Sequence, residues 1–240
     1  GHDRAEGLAG FSTAHAVSHS VRDSATLLDV THGPIPGAVY STSDSAGTFC
    51  EALEGGLPQL KVGLCLTGFA GEAIDPLCRQ AAVDAAALCE SLGCKVAEVE
   101  PPVRGAILRQ AFDVLFSSHI ARVVSDVLPQ RPDHSPEMLF EPLTLACADA
   151  GRTRTAMEYV SAVETIQRSA DELACFFLEY DVLLTPTLAK PPLKLNEINM
   201  NCDNWPMYLE KMLDEIPFTP LFNATGAPAA SVPLATTEDG

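Results

Sequence analysis

The sequence has few basic residues. Lysine and arginine together number 15, against 32 aspartates and glutamates, so the formal net charge at pH 7 is −17. The basic residues are spread along the chain, and no basic cluster is present that could neutralise a row of phosphates. We therefore expect no nucleic acid among its partners, and a folded acidic surface is the simpler interpretation.

Cysteine pairs at metal-binding spacing are also absent. None of the eight cysteines belongs to a C-x-x-C pair, which argues against a zinc site and against a disulfide framework. We expect most of them to be buried as small hydrophobic side chains in a reducing compartment, and a reactive thiol stays open for any one of them. They are Cys50, Cys65, Cys78, Cys89, Cys94, Cys147, Cys175 and Cys202.

The sequence has no signal peptide and no apolar run long enough to span a bilayer. We therefore expect no membrane association and a cytoplasmic location. The chain begins without Met, in polar, Gly-rich sequence, and this start predicts a piece cut from a longer polypeptide.

Several catalytic and binding motifs are incomplete. A dinucleotide fingerprint needs three glycines in one six-residue window, whereas the turn LTGFAG contains only Gly68 and Gly71. His15 and His19 are four residues apart, but Ala16 stands where the zinc-protease pattern needs Glu. No G-x-S-x-G elbow and no S-x-x-K is present, and a Ser-His-Asp triad stays open because its members need not be close in the chain. We expect no cofactor and no metal.

A strand, a helix and a second strand follow one another in the first half of the chain. Residues 61–66 and 95–99 are predicted strands, and Asp75 caps the helix between them, with Pro76 in its first turn. Because a β-α-β unit makes its two strands parallel, the fold class is α/β. The apolar stripe predicted for this helix is Leu77, Ala81, Ala85, Leu88 and Leu92.

An earlier helix is marked at both ends. Ser20 is a good N-cap and Asp23 follows at the spacing of a capping box, while Gly33 and Pro34 stop the helix. Val21, Ala25 and Leu28 would form its apolar face. Residues 34–58 are rich in Gly, Ser and Pro and are predicted to form a long surface loop.

Two longer helices are predicted over residues 103–128 and 156–180. The stretch DVLLTPT then predicts a strand ended by Pro186, and its continuous apolar run favours a sheet covered by helices on both faces. A Pro-rich loop leads from there to the closing stretch. The stripe predicted for the second helix is Met157, Val160, Val163, Ile166, Ala170, Leu173, Phe177 and Tyr180.

Four stretches together resemble the second half of an amidase signature family enzyme. They are HAVSHSVRDSATLLD, KVGLCL…DPLCRQAAVDAAALCESLGCKV, FFLEYDVLLTPTLAKPP and PFTPLFNATGAPAASVPL, and they occur in family order over nearly the whole chain. The helical insert, about residues 103–180, is most similar to the 6-aminohexanoate-cyclic-dimer-hydrolase-like branch. The resemblance implies an α/β/α sandwich around a mixed, largely parallel sheet.

The resemblance also implies hydrolysis of a carboxamide C–N bond without metal or cofactor. The family uses a Ser nucleophile, a second Ser and a Lys base, with a Gly-Gly-Ser-Ser-Gly-Gly loop as the oxyanion hole. This loop is absent from the sequence, and nothing in it matches the triad. Residues 1–240 are therefore expected to be one incomplete domain, the C-terminal half of an amidase, truncated at both ends and inactive alone.

In the closing stretch, we predict a short helix ending near Gly226, a core strand over residues 230–234, and the turn of a hairpin. The family's C-terminal half forms a wall of the substrate tunnel. Candidate substrate-binding residues are Phe112, Phe116, Phe218, Thr219 and Asn223. Core packing is the competing interpretation for the three Phe, and Asn223 is expected to bond backbone and fix the turn before Gly226.

Two functions stay open. The first is part of an amidase acting on a small-molecule amide, whether aryl, aliphatic or oligomeric, with a tRNA-dependent amidotransferase subunit as a related alternative. The second is a non-catalytic α/β binding or interaction domain derived from an amidase. A homodimer is compatible with either.

Overall fold

The computed structural model describes residues 7–34, 36–37 and 47–236. The strands are β1 (Lys61–Leu64), β2 (Lys95–Glu98) and β3 (Val182–Leu184), and short 3-10 helices lie at Gly7–Gly10 and Leu128–Gln130. The helices are α1 (Val21–Thr31), α2 (Phe49–Ala52), α3 (Pro76–Ser91), α4 (Gly105–Val127), α5 (Pro136–Leu139), α6 (Pro142–Arg152), α7 (Ala156–Phe176), α8 (Trp205–Glu215) and α9 (Thr219–Thr225).

The three strands form one parallel sheet in the order β2-β1-β3. Lys61 lies opposite Lys95 in one pair, and Val62 lies opposite Val182 in the other. The predicted β-α-β unit and its parallel pairing are therefore confirmed. The apolar run of β1 is buried because the strand is central and covered on both faces.

Helices cover both faces of the sheet and make three layers. On one face, Leu64 packs against Ala82 and Ala86 of α3. On the other face, Gly63 has no side chain, and a Cβ there would lie 2.8 Å from the ring of Phe176 of α7. The bare backbone of Gly63 lets that ring lie directly on β1. The α/β/α arrangement predicted from the sequence is confirmed.

The side of α3 that faces the sheet differs from the predicted stripe. Ala82, Ala85 and Ala86 are buried, whereas Leu77 and Leu88 are exposed, at 59% and 49%. Leu92, the residue that caps the end of the helix, is also exposed. The alanines occupy the face of α3 that packs on the sheet, because their small side chains let the helix axis approach the sheet closely. The predicted stripe was right at Ala85 and wrong at its three leucines.

The helical layer contains both long helices that the sequence predicts. The predicted 103–128 helix is α4, and the predicted 156–180 helix is α7, which ends at Phe176. The N-terminus of α7 is fixed by a capping box between Thr155 and Glu158. The predicted stripe is wrong in the first turns, where Met157 and Val160 are exposed, because residues 156–161 are all exposed and no side of these turns is covered.

Two helices lie in stretches that were predicted as loops. Helix α8 falls in the Pro-rich stretch, where Asn204 caps the helix by accepting the Met207 N–H and proline fits its first turn. Helix α2 falls in the predicted 34–58 loop and begins with a capping box formed by Thr48 and Glu51. Residues 35 and 38–46 of that predicted loop lie outside the described residues.

Helix α1 begins as predicted, with the Ser20 hydroxyl accepting the Asp23 N–H. The helix ends at Thr31, just before the predicted stop. Ala25 is buried, whereas Val21 is exposed, so only part of the predicted apolar face is covered. Asp29 joins α1 to α2 by accepting the first backbone N–H groups of α2.

The closing stretch matches its predicted helix but not its predicted strand. Helix α9 ends at Thr225 and is capped by Gly226, whose φ of 70° is the left-handed conformation that glycine adopts readily. Residues 230–234 form no strand, and Val232 and Leu234 are exposed. No described strand lies beside them to supply ladder hydrogen bonds, and Ser231 instead bonds the hydroxyl of Thr187, just past β3. Residues 237–240 of the predicted hairpin turn lie outside the described residues.

Candidate functional site

A narrow cleft opens at the carboxyl ends of the parallel strands, which is where ligands bind in open α/β sheets. It lies between the loop after β1, the start of α4 and the connection from α8 to α9. Its volume is about 20 Å³, room for one water-sized molecule. We call it the carboxyl-edge cleft. Its main apolar walls are Phe69, Leu108, Phe112, Pro217, Pro220 and Leu221.

Phe69 is the wall contributed by the loop after β1. Its carbonyl accepts the Gly105 N–H at 3.2 Å, and a Cβ on Gly105 would lie 2.3 Å from the Phe69 carbonyl carbon. Its ring meets the fully buried Phe218 edge-on, with the ring centres 5.3 Å apart. The position of Phe69 therefore depends on glycine at the start of α4.

A three-residue ion network lies beside this wall. Arg109 of α4 contacts Glu72 at 2.5 Å and Asp214 of α8 at 2.8 Å. The Glu72 side chain is only 7% exposed, whereas that of Asp214 is 49% exposed. The network joins the loop after β1 to two helices, and Glu72 and Arg109 both line the carboxyl-edge cleft.

An aromatic stack runs inward from the cleft. Phe112 contacts Phe11 at 5.1 Å between ring centres and Phe116 at 5.3 Å, and Phe116 stacks on Trp205 at 5.5 Å. Tyr208 continues the stack beyond Trp205. Because Phe112 also lines the cleft, the stack gives that wall a rigid backing.

The inner end of the stack is fixed by hydrogen bonds. The Trp205 indole N–H donates to one oxygen of Asp113 at 2.8 Å, and Arg154 donates to the other at 2.7 Å. Asp113 belongs to α4, so the carboxylate ties α4 to α8 and to the turn before α7. This network holds Trp205 in one orientation against Phe116.

Of the predicted substrate-binding residues, the structure places one in the wall of the carboxyl-edge cleft and the others behind or beside that wall. Phe112 lines the carboxyl-edge cleft, whereas Phe116 lies behind it, between Phe112 and Trp205. Phe218 is fully buried against Phe69, and Thr219 is the half-buried first residue of α9. Their contact with a substrate stays a prediction.

The Asn223 side chain forms a hydrogen bond with backbone, as expected, but the backbone belongs to a distant segment and not to the turn that follows Asn223. Its side-chain N–H group donates to the carbonyl of Phe11 at 3.1 Å and to the hydroxyl of Thr13 at 2.9 Å. The expectation that it fixes the turn before Gly226 is therefore wrong. The residue instead pins the start of the chain to α9, and whether it contacts a substrate stays a prediction.

The glycine-rich turn after β1 has a structural explanation. A Cβ on Gly68 would lie 2.3 Å from the Glu72 carboxylate, and Gly71 has a φ of +88°. The two glycines therefore let the loop fold over the Glu72 side chain. The sequence pattern marked the correct loop but predicted nothing of Phe69, Glu72 or Arg109, which become neighbours only through the fold.

Three side chains that could act chemically are held in unreactive states. Burial, with a contribution from the charge of Asp113, raises the pKa of the Cys147 thiol to about 12, and burial also raises the pKa of Cys65. A hydrogen bond from Lys190 to Glu215 raises the pKa of Lys190, which keeps that lysine protonated and unsuited to act as a base. His15 and His19 are exposed.

Within residues 7–34, 36–37 and 47–236, no group of three or more His, Cys, Asp or Glu side chains is arranged to hold a metal ion. In the same residues, none of the helices combines the length and the apolar character needed to cross a membrane.

Comparison with known proteins gives relatives over nearly the whole chain. The chain is 24% identical over 254 residues to the 6-aminohexanoate-cyclic-dimer hydrolase of Paenarthrobacter ureafaciens, an alignment that covers 98% of this chain and 49% of the hydrolase. It is 27% identical to an amidase of Pseudomonas putida, over 93% of this chain and 46% of that enzyme. The chain thus spans about half the length of the curated relatives it matches.

The solved structure of 6-aminohexanoate cyclic dimer hydrolase is similar in fold, with a TM-score of 0.82 at 23% identity, over 93% of this chain and 48% of that one. The predicted resemblance to this branch is confirmed. A family model named Amidase matches residues 7–240. The chain therefore belongs to the amidase family.

Proposed function

We propose that this chain is part of an amidase that hydrolyses a carboxamide C–N bond by Ser-Ser-Lys chemistry, and that the two serines and the lysine lie outside these 240 residues. The observation that carries the proposal is the family match over residues 7–240 in a sequence without the Gly-Gly-Ser-Ser-Gly-Gly loop. Residues 1–240 then form one incomplete domain, with the helical insert of about residues 103–180 as its largest part.

The proposed chemistry divides the work between this chain and the part of the amidase that carries the two serines and the lysine. A serine oxygen attacks the amide carbon, its proton passes through the second serine to the lysine, and the C–N bond breaks as the amine takes up a proton. Water then hydrolyses the acyl ester and frees the serine. A loop of backbone N–H groups must stabilise the oxyanion, and this chain supplies none of these reacting groups.

The task of this chain is to form one wall of the substrate site. Most residues that line the carboxyl-edge cleft are apolar, and the ring of Phe112, which lines it, packs against Phe11 and Phe116. Because the cleft itself has room for only one water-sized molecule, this wall would contact the aliphatic or aryl portion of a small-molecule amide from one side, with the rest of the substrate site formed outside this chain. Phe116, Phe218, Thr219 and Asn223 support this wall or lie beside it. The cytoplasmic location and the homodimer stay predictions.

The test compares two polypeptides from the same gene. The first is the 240-residue chain, and the second extends it through the adjoining in-frame sequence, which we expect to encode Gly-Gly-Ser-Ser-Gly-Gly and a preceding lysine. Aryl, aliphatic and cyclic oligomeric amides are assayed with both. We expect turnover with the longer polypeptide only. Robust hydrolysis by the 240-residue chain would refute the proposal.

The sequence of the adjoining reading frame distinguishes the second candidate, a non-catalytic α/β binding or interaction domain derived from an amidase. The missing serine loop is the observation that favours it. A start codon directly before Gly1, with no serine loop in the reading frame, would support the binding domain and reject the amidase.

A further inference from the structure

Arg109 of α4 contacts both the loop after β1 and α8. Building on the proposed function, we infer that Arg109 is a positioning residue for substrate binding. It holds the 68–72 loop closed, so that Phe69 keeps its place as a wall of the carboxyl-edge cleft. The same guanidinium group contacts Glu72 at 2.5 Å and Asp214 at 2.8 Å.

The Glu72 carboxylate is the internal support of the 68–72 loop. One oxygen accepts the Arg109 N–H, and the other accepts the backbone N–H of Ala70 at 2.8 Å. Gly71 closes the turn by donating to the Gly68 carbonyl at 2.8 Å. Phe69 lies inside this turn, so its ring position follows from where the carboxylate of Glu72 is held.

Burial makes this contact more important than an ordinary surface ion pair. The side chains of Glu72 and Arg109 are 7% and 23% exposed. A buried carboxylate that loses its cation must either lose its charge or regain water. Asp214 is half exposed and therefore already open to solvent, whereas the buried Glu72 would have to move to reach water after removal of Arg109.

Apart from the Glu72 support, Phe69 is held by one backbone hydrogen bond of 3.2 Å from Gly105, an edge-on ring contact with Phe218 and apolar packing against the core. None of these contacts compensates the buried charge that Glu72 would keep after the loss of Arg109. Without Arg109, we therefore expect the 68–72 loop to open toward water and Phe69 to leave the cleft wall. Arg109 contacts no reacting atom in the proposed chemistry, so its loss should weaken substrate binding rather than slow the chemical step.

The first measurement uses the 240-residue chain and does not depend on activity. Amide hydrogen exchange is followed in the wild type, Arg109→Gln, Arg109→Lys and the control Arg122→Gln, which removes an exposed ion pair with Asp126 on the same helix. We expect exchange of residues 68–72 to rise by roughly tenfold or more in Arg109→Gln, the effect of one lost charge-assisted hydrogen bond. Arg109→Lys should be intermediate, and Arg122→Gln should match the wild type.

The second measurement is made on the longer polypeptide that carries the serine loop. Arg109→Gln should raise KM roughly tenfold and leave kcat within roughly twofold, with partial rescue by Arg109→Lys. Unchanged exchange in residues 68–72, a uniform rise over the whole chain, or a fall in kcat with KM unchanged would each overturn the inference. If the wild-type longer polypeptide has no amidase activity, the proposed function fails, and the exchange measurement still decides the positioning role.

Discussion

Helices α4 and α6 cross at Gly151, and replacing this glycine with alanine tests how closely they pack. An alanine Cβ at this position would lie 1.9 Å from the carbonyl oxygen of Ser117 and 2.4 Å from its carbonyl carbon. Ser117 is fully buried in the middle of α4. The obstacle is therefore helix backbone, which cannot change rotamer to make room.

The magnitude follows from the required displacement. Cβ contacts under 3.0 Å essentially never occur, so the two helices must separate from a 1.9 Å approach by more than 1 Å. Overpacking of this kind costs about 1–3 kcal/mol, and a backbone obstacle favours the upper end. Alanine recovers roughly 0.5–1 kcal/mol through its helix propensity. We expect a net destabilisation of about 2 kcal/mol, which lowers Tm by about 4–8 °C in a chain of this size.

The assay is thermal unfolding followed by the fluorescence of Trp205, the only tryptophan in the chain. Gly56→Ala is the matched control, because a Cβ at Gly56 would meet nothing within 4 Å and its φ is not in the left-handed region. The control should unfold within about 2 °C of the wild type, since open surface substitutions change stability little. A Gly151→Ala variant as stable as the wild type would refute the close crossing.

Two further predictions concern titrating groups. The buried Cys147, whose pKa is raised to about 12, should resist iodoacetamide at pH 8 while the exposed Cys175 reacts; equal labelling by mass spectrometry would contradict this. Burial acts to raise the pKa of Asp29, but hydrogen bonds from the amides of Phe49 and Cys50 outweigh it and lower that pKa below 3.8. The Asp29 carboxylate should therefore stabilise the α1–α2 contact above pH 3.8, and this stabilisation should be lost as the pH falls through the lowered pKa of Asp29 in the folded protein. An NMR titration of the Phe49 and Cys50 amides with a midpoint above pH 3.8 would contradict this prediction.

The parts of the fold that depend on local sequence were predictable. Asp75, Pro76 and the apolar run of β1 mark a strand followed by a helix. A second strand that follows such a helix in the same sheet pairs parallel to the first strand. The predicted start of the 156–180 helix was also correct, although the capping box of Thr155 and Glu158 that fixes it was recognised only in the structure. The error at Leu77 and Leu88 has a different origin, since the face that packs on a sheet is decided by how closely the two backbones approach.

The candidate site was only partly predictable. Phe112 was identified through a family resemblance, whereas Phe69 and Arg109 carried no signal of their own. They become neighbours because the loop after β1 meets α4 and α8, and such contacts between distant segments leave no local pattern. Residues 230–234 show the same limit, because an apolar segment becomes a strand only beside another strand.

In the proposed function, this chain forms a wall of the substrate site and does not contain the nucleophile. The most direct measurement is to react the longer polypeptide with an amide whose acyl-enzyme is slow to hydrolyse, quench it with acid, and locate the acyl group by mass spectrometry. We expect a serine ester outside residues 1–240 and no adduct on the 240-residue chain treated alone. An acyl adduct on any serine or cysteine within residues 1–240 that forms and turns over at the catalytic rate would contradict it.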